Sequence, residues 1–234
     1  MVSFFTRDQG KMRGVAKRAK SLKSAFGSGL ERLSQVRMSY FQRENKELVN
    51  LNSCELIHSQ FGVLSDYHAG VALDYLAEVS EQLLPPHEPS ERYFRLLGAV
   101  LEHLRGGESG SVWRAVTYFS LWAVRLSGFL PDLHACSNCG VWLEDPKAPE
   151  RAFYHRASRA GLVCEHCRAG MGGGLWELSS ESRAIAGEML RKPVGQIGPA
   201  GWEQTTAADL RRFLTQQIEN HIERRLLSAP VLEN

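Results

Sequence analysis

Val2-Ser-Phe-Phe-Thr-Arg-Asp-Gln-Gly-Lys-Met-Arg-Gly-Val-Ala-Lys17 reads as a strand, a turn and a return strand. Val2 to Thr6 is short, β-branched and aromatic, as strands are. Arg7 to Lys11 is the turn, with Gly10 free to take positive φ. Side chains alternate across a strand. Met12, Gly14 and Ala16 therefore share one face, and Arg13, Val15 and Lys17 the other. The first face is small and apolar and suits a core. The second presents cations to solvent.

Working outward, Arg18 to Gly29 is basic, rich in Ser and Gly and without a clean period, which predicts a flexible basic loop. Residues 33–41 and 47–56 read as two more strands. Gln42 to Lys46 is the polar hairpin loop between them, with Asn45 as a turn residue. Cys54 falls in the last strand and reads as a small buried residue. The fold class expected is α+β. It opens on an OB-fold-like barrel at residues 1–62, since a small curled antiparallel sheet with basic loops fits a five-stranded oligonucleotide-binding barrel better than a sandwich. Only four strands are legible. A chain beginning directly on a strand leaves an edge unpaired, so the expectation is an open barrel or a sequence version lacking a first strand.

From residue 64 the period becomes helical. Ser65 is placed to cap a helix to about Leu84, with Ala69, Ala72, Leu73, Leu76, Val79 and Leu83 on one face. Pro85-Pro86 stops it. Ser90 and Glu91 begin a second helix carrying Tyr93, Phe94, Leu97, Val100, Leu101 and Leu104, ended by Gly106-Gly107. A third spans about 111–127, where Val112, Val116, Phe119, Ala123 and Leu126 form the stripe and Trp113 and Trp122 broaden it. Ser179 caps a helix to about Arg191. Thr205 or Thr206 caps a last one to Leu227, with Leu210, Leu214, Ile218, Ile222 and Leu226 in register. The helical domain is thus expected at 63–132 and 176–234, with a metal module inserted at 133–175.

That module carries Cys136-Ser-Asn-Cys139 and Cys164-Glu-His-Cys167. Two residues between thiols let one tight turn aim both sulfurs at one ion. Two such turns supply the four corners of the tetrahedron that Zn²⁺ accepts. The gap of residues 140–163 is long enough for a small hairpin. Four thiolates close the coordination sphere, so one structural Zn²⁺ is expected and a hydrolytic zinc is disfavoured. His134, His155 and His166 lie close by and could substitute for a thiol, though each reads more simply as a neighbouring or surface histidine. Gly172-Gly-Gly174 reads as a hinge-like spacer.

Formal net charge is +2, but it is segregated. Residues 1–46 hold 11 Lys and Arg against 3 acids; the remainder holds 17 against 23. A basic end on an acidic body points to a polyanion. The candidate phosphate contacts are Arg7, Lys11, Arg13, Lys17, Arg18, Lys20 and Lys23. Phe26, Tyr40 and Phe41 are candidate stacking platforms. No apolar run reaches membrane-spanning length. The start has no secretory pattern, and the reduced-thiol chemistry suits the cytoplasm. Phosphate-loop and nucleophile-elbow patterns are absent, and the histidines lack catalytic spacing, so no enzyme is expected.

Residues 2–17, then Phe26-Gly-Ser-Gly-Leu-Glu31, the Ser53-Cys-Glu-Leu stretch, Gly128-Phe-Leu-Pro-Asp-Leu-His-Ala-Cys136 and the second cysteine pair resemble the RecO family of bacterial recombination mediators. The resemblance covers nearly the whole chain. It implies an OB-fold followed by a helical domain with an embedded four-cysteine zinc module. It also implies binding of single- and double-stranded DNA, annealing of complementary strands, and loading of RecA with RecR onto strands coated by single-stranded-DNA-binding protein (SSB). The chain is expected to be a monomer in isolation, to contact the SSB C-terminal tail, and to lie at the bacterial nucleoid. An acidic SSB tail ending in an apolar residue wants an apolar groove with a basic rim, for which Arg114 and Arg125 are candidates. Two departures stand out. Such proteins usually carry a strand before the segment matching Val2, and Lys17-Arg-Ala-Lys20 lacks a glycine common in that run. An OB-plus-zinc module for RNA binding or transcription is the alternative.

Overall fold

The computed structural model describes residues 1–21, 24–44, 46–107, 110–144, 151–155, 161–197 and 201–233. The chain forms two compact units, Met1–Gly107 and Glu108–Asn234. The expected Lys23 contact and the Asn45 turn lie outside the described residues.

The first unit opens with β1 (Val2–Thr6), β2 (Gly10–Ala16), β3 (Gln35–Phe41) and β4 (Leu48–His58), followed by α1 (Tyr67–Leu83) and α2 (Glu91–Arg105). The four strands make one sheet in the order β1-β2-β4-β3. β1 and β3 run antiparallel to their neighbours, and β2 runs parallel to β4. One parallel pair inside an otherwise antiparallel sheet is a Greek-key arrangement, as an OB-type barrel requires. The sheet curls enough for rings on its two edge strands to meet, with Phe4 and Tyr40 centred 5.9 Å apart. Met12, Phe26, Val49 and Leu51 form the buried centre, and Val2, Phe4, Ala16, Ala19, Met38 and Tyr40 pack around it. The face assigned to Met12, Gly14 and Ala16 is the inner one.

The opposite face is not simply solvated. Phe5 meets the rings of Tyr93 and Phe94 from α2 at 6.1 and 6.0 Å. Glu81 of α1 accepts hydrogen bonds from Ser3 Oγ at 2.6 Å and Arg13 at 2.8 Å. The free flank of early β2 is taken by the chain after α1, where the Lys11 carbonyl accepts from His87 N–H at 2.9 Å. Gly10 is needed there. Its φ is +69°, and a Cβ would lie 2.3 Å from the Glu88 carbonyl oxygen. α1 starts one residue later than expected, because Asp66, not Ser65, caps it by accepting from Ala69 N–H. Ser90 caps α2 as expected.

The second unit holds α3 (Ser111–Leu126), β5 (Ala152–His155), β6 (Val163–Cys164), α4 (Glu165–Arg168), β7 (Leu175–Leu178), α5 (Ser180–Met189), α6 (Ala208–Ile222) and α7 (Ser228–Leu232). α3 packs on α6, and its stripe is buried except for Leu126, which is half-buried, as is Trp122 beside it. β6, β5 and β7 make a second antiparallel sheet. The Gly172 to Gly174 stretch is therefore the short connection that delivers β7 to its partner. Ser179 caps α5, and Asp209 of α6 supports that cap by accepting from Ser179 N–H at 2.7 Å and from the Ser182 hydroxyl. Neither Thr205 nor Thr206 caps α6. Ala207 leads into it in a left-handed conformation, and the Thr206 hydroxyl accepts from Glu203 N–H instead. α6 also ends at Ile222, where Glu223 turns left-handed, so Leu226 is buried from a separate turn.

Candidate metal centre and nucleic-acid interface

Cys136, Cys139, Cys164 and Cys167 bring their sulfurs within 4.8 Å of one another. Each pair sits in a tight turn. In the first, Cys136 N–H donates to the Val141 carbonyl, and Gly140, at φ +73°, donates back to Cys136 at 2.9 Å. In the second, Cys164 ends β6 and its sulfur accepts from Cys167 N–H at 3.5 Å as α4 begins. The knuckles are joined by Ser137 N–H donating to the Leu162 carbonyl at 2.8 Å, and by Cys164 N–H donating to the Cys136 sulfur at 3.4 Å.

The electrostatics of this array favour a dication. Burial pushes the Cys136 thiol up, but backbone N–H groups of Cys139, Cys164 and Asn138 outweigh it and bring it down to about 6. Burial and the neighbouring thiols hold Cys164 up. At Cys167 a bond from Asn138 favours the thiolate, yet Cys139, burial and the remaining thiols outweigh it and raise the group to about 12. Four sulfur anions this close repel one another, and a divalent ion relieves that repulsion. The donor set fits tetrahedral thiolate coordination. Among the described residues no histidine joins the cluster. His134 lies 2.7 Å from Glu144 and stacks on Trp142, and His166 is exposed.

Packing anchors the module. Arg183 of α5 is buried and donates to the Leu143 carbonyl at 3.0 Å, just past the first knuckle. Tyr154 of β5 meets Phe213 of α6 edge-on at 4.8 Å. Arg168 and Arg151 lie over the Phe153 ring at 4.3 and 5.0 Å, and Glu165 and Glu177 pair with Arg151. Sequence reasoning missed the Arg183 anchor, because a buried arginine has no local signature.

In the first unit the structure sorts the expected basic residues into two classes. Lys11 is 8% exposed; its ammonium donates to the Glu81 carbonyl and lies 3.8 Å from the Glu81 carboxylate. It therefore does not reach solvent as an expected phosphate contact would, since α1 covers that part of the sheet. Arg13 is exposed but bound to Glu81 at 2.8 Å. Arg32 and Arg37 pair with Asp74 and Glu55. Arg7 is exposed and lies over the Phe94 ring at 5.4 Å. Lys17, Arg18 and Lys20 are exposed together just after β2, and none is ion-paired among the described residues. Of the aromatic candidates, Phe26 is core, Tyr40 is half-buried and Phe41 is 57% exposed. Cys54 is half-buried, with its thiol donating to the Phe26 carbonyl at 3.1 Å. Of the two groove candidates, Arg114 is buried under Trp202. Arg125 is exposed over Trp122, beside a groove of about 410 Å³ lined by Leu130, Pro131 and Leu133. No described helix is long and apolar enough to cross a membrane.

Comparison with known proteins agrees with this architecture in both parts of the chain. Residues 1–60 match the family model for the recombination protein O N terminal, and residues 64–230 match that for the recombination protein O C terminal. DNA repair protein RecO of Koribacter versatilis is 44% identical over 233 residues, covering 100% of this chain and 91% of that protein. Its namesake in Geobacter metallireducens is 30% identical over 235 residues, covering 100% and 89%. That of Anaeromyxobacter sp. strain K is 27% identical over 236 residues, with the same coverage. The chain belongs to the recombination protein O family of DNA repair and recombination proteins.

Proposed function

We propose that this chain binds single- and double-stranded DNA, anneals complementary strands, and assists RecA loading together with RecR and SSB. Its work is non-catalytic. The observation that carries the reading is the cluster of exposed Lys17, Arg18 and Lys20, without ion-pair partners among the described residues, beside a curled sheet of OB-type order. Cations already neutralised by carboxylates gain little from a phosphate. Unpaired ones release the counterions of the nucleic acid, which supplies affinity without sequence readout. Arg7 extends the basic surface, while Arg13 is already held by Glu81, and Phe41 is the exposed ring suited to stacking on a base.

The four cysteines would hold one Zn²⁺, which ties the two knuckles together and has no open position for substrate. Its contribution is to folding, through the link from β5 and β6 to α5 and α6. Arg125 would meet the acidic groups of the SSB tail at a groove whose Leu130, Pro131 and Leu133 take its apolar end, with Asp132 and His134 in the same wall. The protein would act on nucleoid DNA in the bacterial cytoplasm, as a monomer until it meets RecR.

The test is annealing of complementary strands, bare and SSB-coated, by the full chain with and without RecR. The reading expects faster annealing in both cases and a steep decline with salt. Annealing no faster than the spontaneous rate, under conditions where the protein is folded and metal-loaded, would overturn it.

A further inference from the structure

Trp142 is 54% exposed, yet its place is closely fixed. Residues 134–136 run antiparallel to 141–143 where the first cysteine knuckle closes. Ala135 bridges to Trp142, Leu143 N–H donates to the His134 carbonyl at 2.7 Å, and Cys136 N–H donates to the Val141 carbonyl at 2.9 Å. Leu143 is fully buried, and side chains alternate on an extended chain, so the register that sinks Leu143 turns Trp142 outward. The indole is backed on one side. The His134 imidazole lies against it, nearly parallel at 15° with ring centres 5.5 Å apart, and His134 Nδ1 is itself 2.7 Å from the Glu144 carboxylate. With His134 on one side and more than half of Trp142 open to water, this offset stack has room for a third ring. The setting is polar. Ser137, Asn138 and Gly140 of the knuckle are exposed, and among the described residues Val141 is the large apolar neighbour exposed beside the indole. A protein-binding patch sets its aromatic anchor in a wider apolar core. A lone flat ring among polar groups is what unpaired bases stack on.

We propose that Trp142 is a stacking platform for an unpaired base of single-stranded DNA, so that the cysteine module carries a nucleic-acid contact of its own in the second unit. The proposal rests on the DNA-binding reading and adds to it a contact of a different kind. Lys17, Arg18 and Lys20 would act on phosphates, which single strands and duplex share. An indole acts on the face of a base, which a duplex keeps inside its own stack. The contact therefore favours single strands, releases no counterion and tolerates any sequence. A metal ion on the four thiolates would fix the turn on which the ring stands.

The experiment compares the full wild-type chain with Trp142→Ala and Trp142→Phe, with zinc content and thermal melting as checks of folding. Binding is measured over a salt series to a labelled oligothymidylate, to an abasic strand of the same length and to a duplex. Trp142→Ala should bind the oligothymidylate about 5- to 100-fold more weakly, the range of one lost stacked base. Its salt slope should be unchanged, because no phosphate contact is removed. Trp142→Phe should keep most of the affinity. Duplex and abasic strand should bind equally to all three proteins. A further arm needs no variant: an oligonucleotide carrying 5-iododeoxyuridine, irradiated on the wild-type chain, should crosslink to the peptide that holds Trp142. If wild type and Trp142→Ala bind the oligothymidylate equally, the proposal is overturned and the DNA-binding reading stands. An equal loss on the abasic strand, or crosslinks confined to other peptides, overturns it in the same way. If wild type binds none of the three nucleic acids, the DNA-binding reading fails and this proposal with it.

Discussion

Lys11 and Lys17 carry the same charge at the two ends of one strand, and the structure gives them opposite roles. Lys11→Met tests this. The substitution fills the space of the Lys11 stem but removes an ammonium that bonds to the Glu81 carbonyl and lies 3.8 Å from its carboxylate. Glu81 keeps Ser3 and Arg13, so what is lost is one charge-assisted bond and the satisfaction of one carbonyl. Such a loss costs about 1–3 kcal/mol, or roughly 5–15 °C of melting temperature in a unit of this size. The salt slope of DNA binding should not change, because Lys11 releases no counterion. Lys17→Ala/Lys20→Ala should do the reverse. Two exposed side chains with no ion-pair partner among the described residues contribute within about 0.5 kcal/mol to stability. Removing them should flatten the slope by about 1.4 on single strands and about 1.8 on duplex. Fluorescence anisotropy across a salt series, paired with circular-dichroism melts, reads both quantities. The reasoning is refuted if Lys11→Met flattens the slope as the double variant does, or if the double variant leaves it unchanged.

Metal analysis of the purified chain should find one zinc per molecule, lost in Cys139→Ser and Cys164→Ser and kept in Cys54→Ser; zinc retained in either of the first two would break the four-thiolate assignment. Stability of the first unit should be acid-sensitive through Glu81. Burial pushes that carboxyl up, but bonds from Ser3 and Arg13 and the charges of Lys11 and Arg13 outweigh it, so its folded pKa lies below the ordinary 4.5. Its contribution is present above 4.5 and is lost as pH falls through the folded value. Melts of Glu81→Gln should lack that part of the acid dependence, and an unchanged pH profile would count against the clamp. Arg211→Met should cost about 3 kcal/mol. It removes a guanidinium that pairs with Glu233 at 3.2 Å and donates to the Thr206 and Gln204 carbonyls, and chemical denaturation of the second unit would read the loss.

What the sequence showed and what it hid divide by range. β1 to β4 were legible because alternation is local, and α1 to α3 because their apolar positions recur at helical spacing. The metal cluster was legible because each pair of thiols is one turn. β7 was not: Leu175-Trp-Glu-Leu178 is short, follows three glycines, and becomes a strand only by pairing with β5. The inward turn of Lys11 was hidden because its partner Glu81 lies on a helix far along the chain. Phe26 looked like a stacking candidate because its loop lacks a period, yet it closes the sheet core. Arg18 was legible as a charge, but its left-handed backbone, at φ +59°, was not.

The most direct test of the account is lysine footprinting. The full chain is treated with an acetylating reagent, alone and saturated with a single-stranded oligonucleotide, and modification is read by mass spectrometry. Lys17 and Lys20 should react readily in the free protein and become protected by DNA. Lys11 should react slowly in both states, and Lys192, which follows α5 in the second unit and pairs with Glu188, should react equally in both. Lys17 and Lys20 remaining equally reactive with DNA bound would contradict the assignment of this turn as the DNA-binding surface.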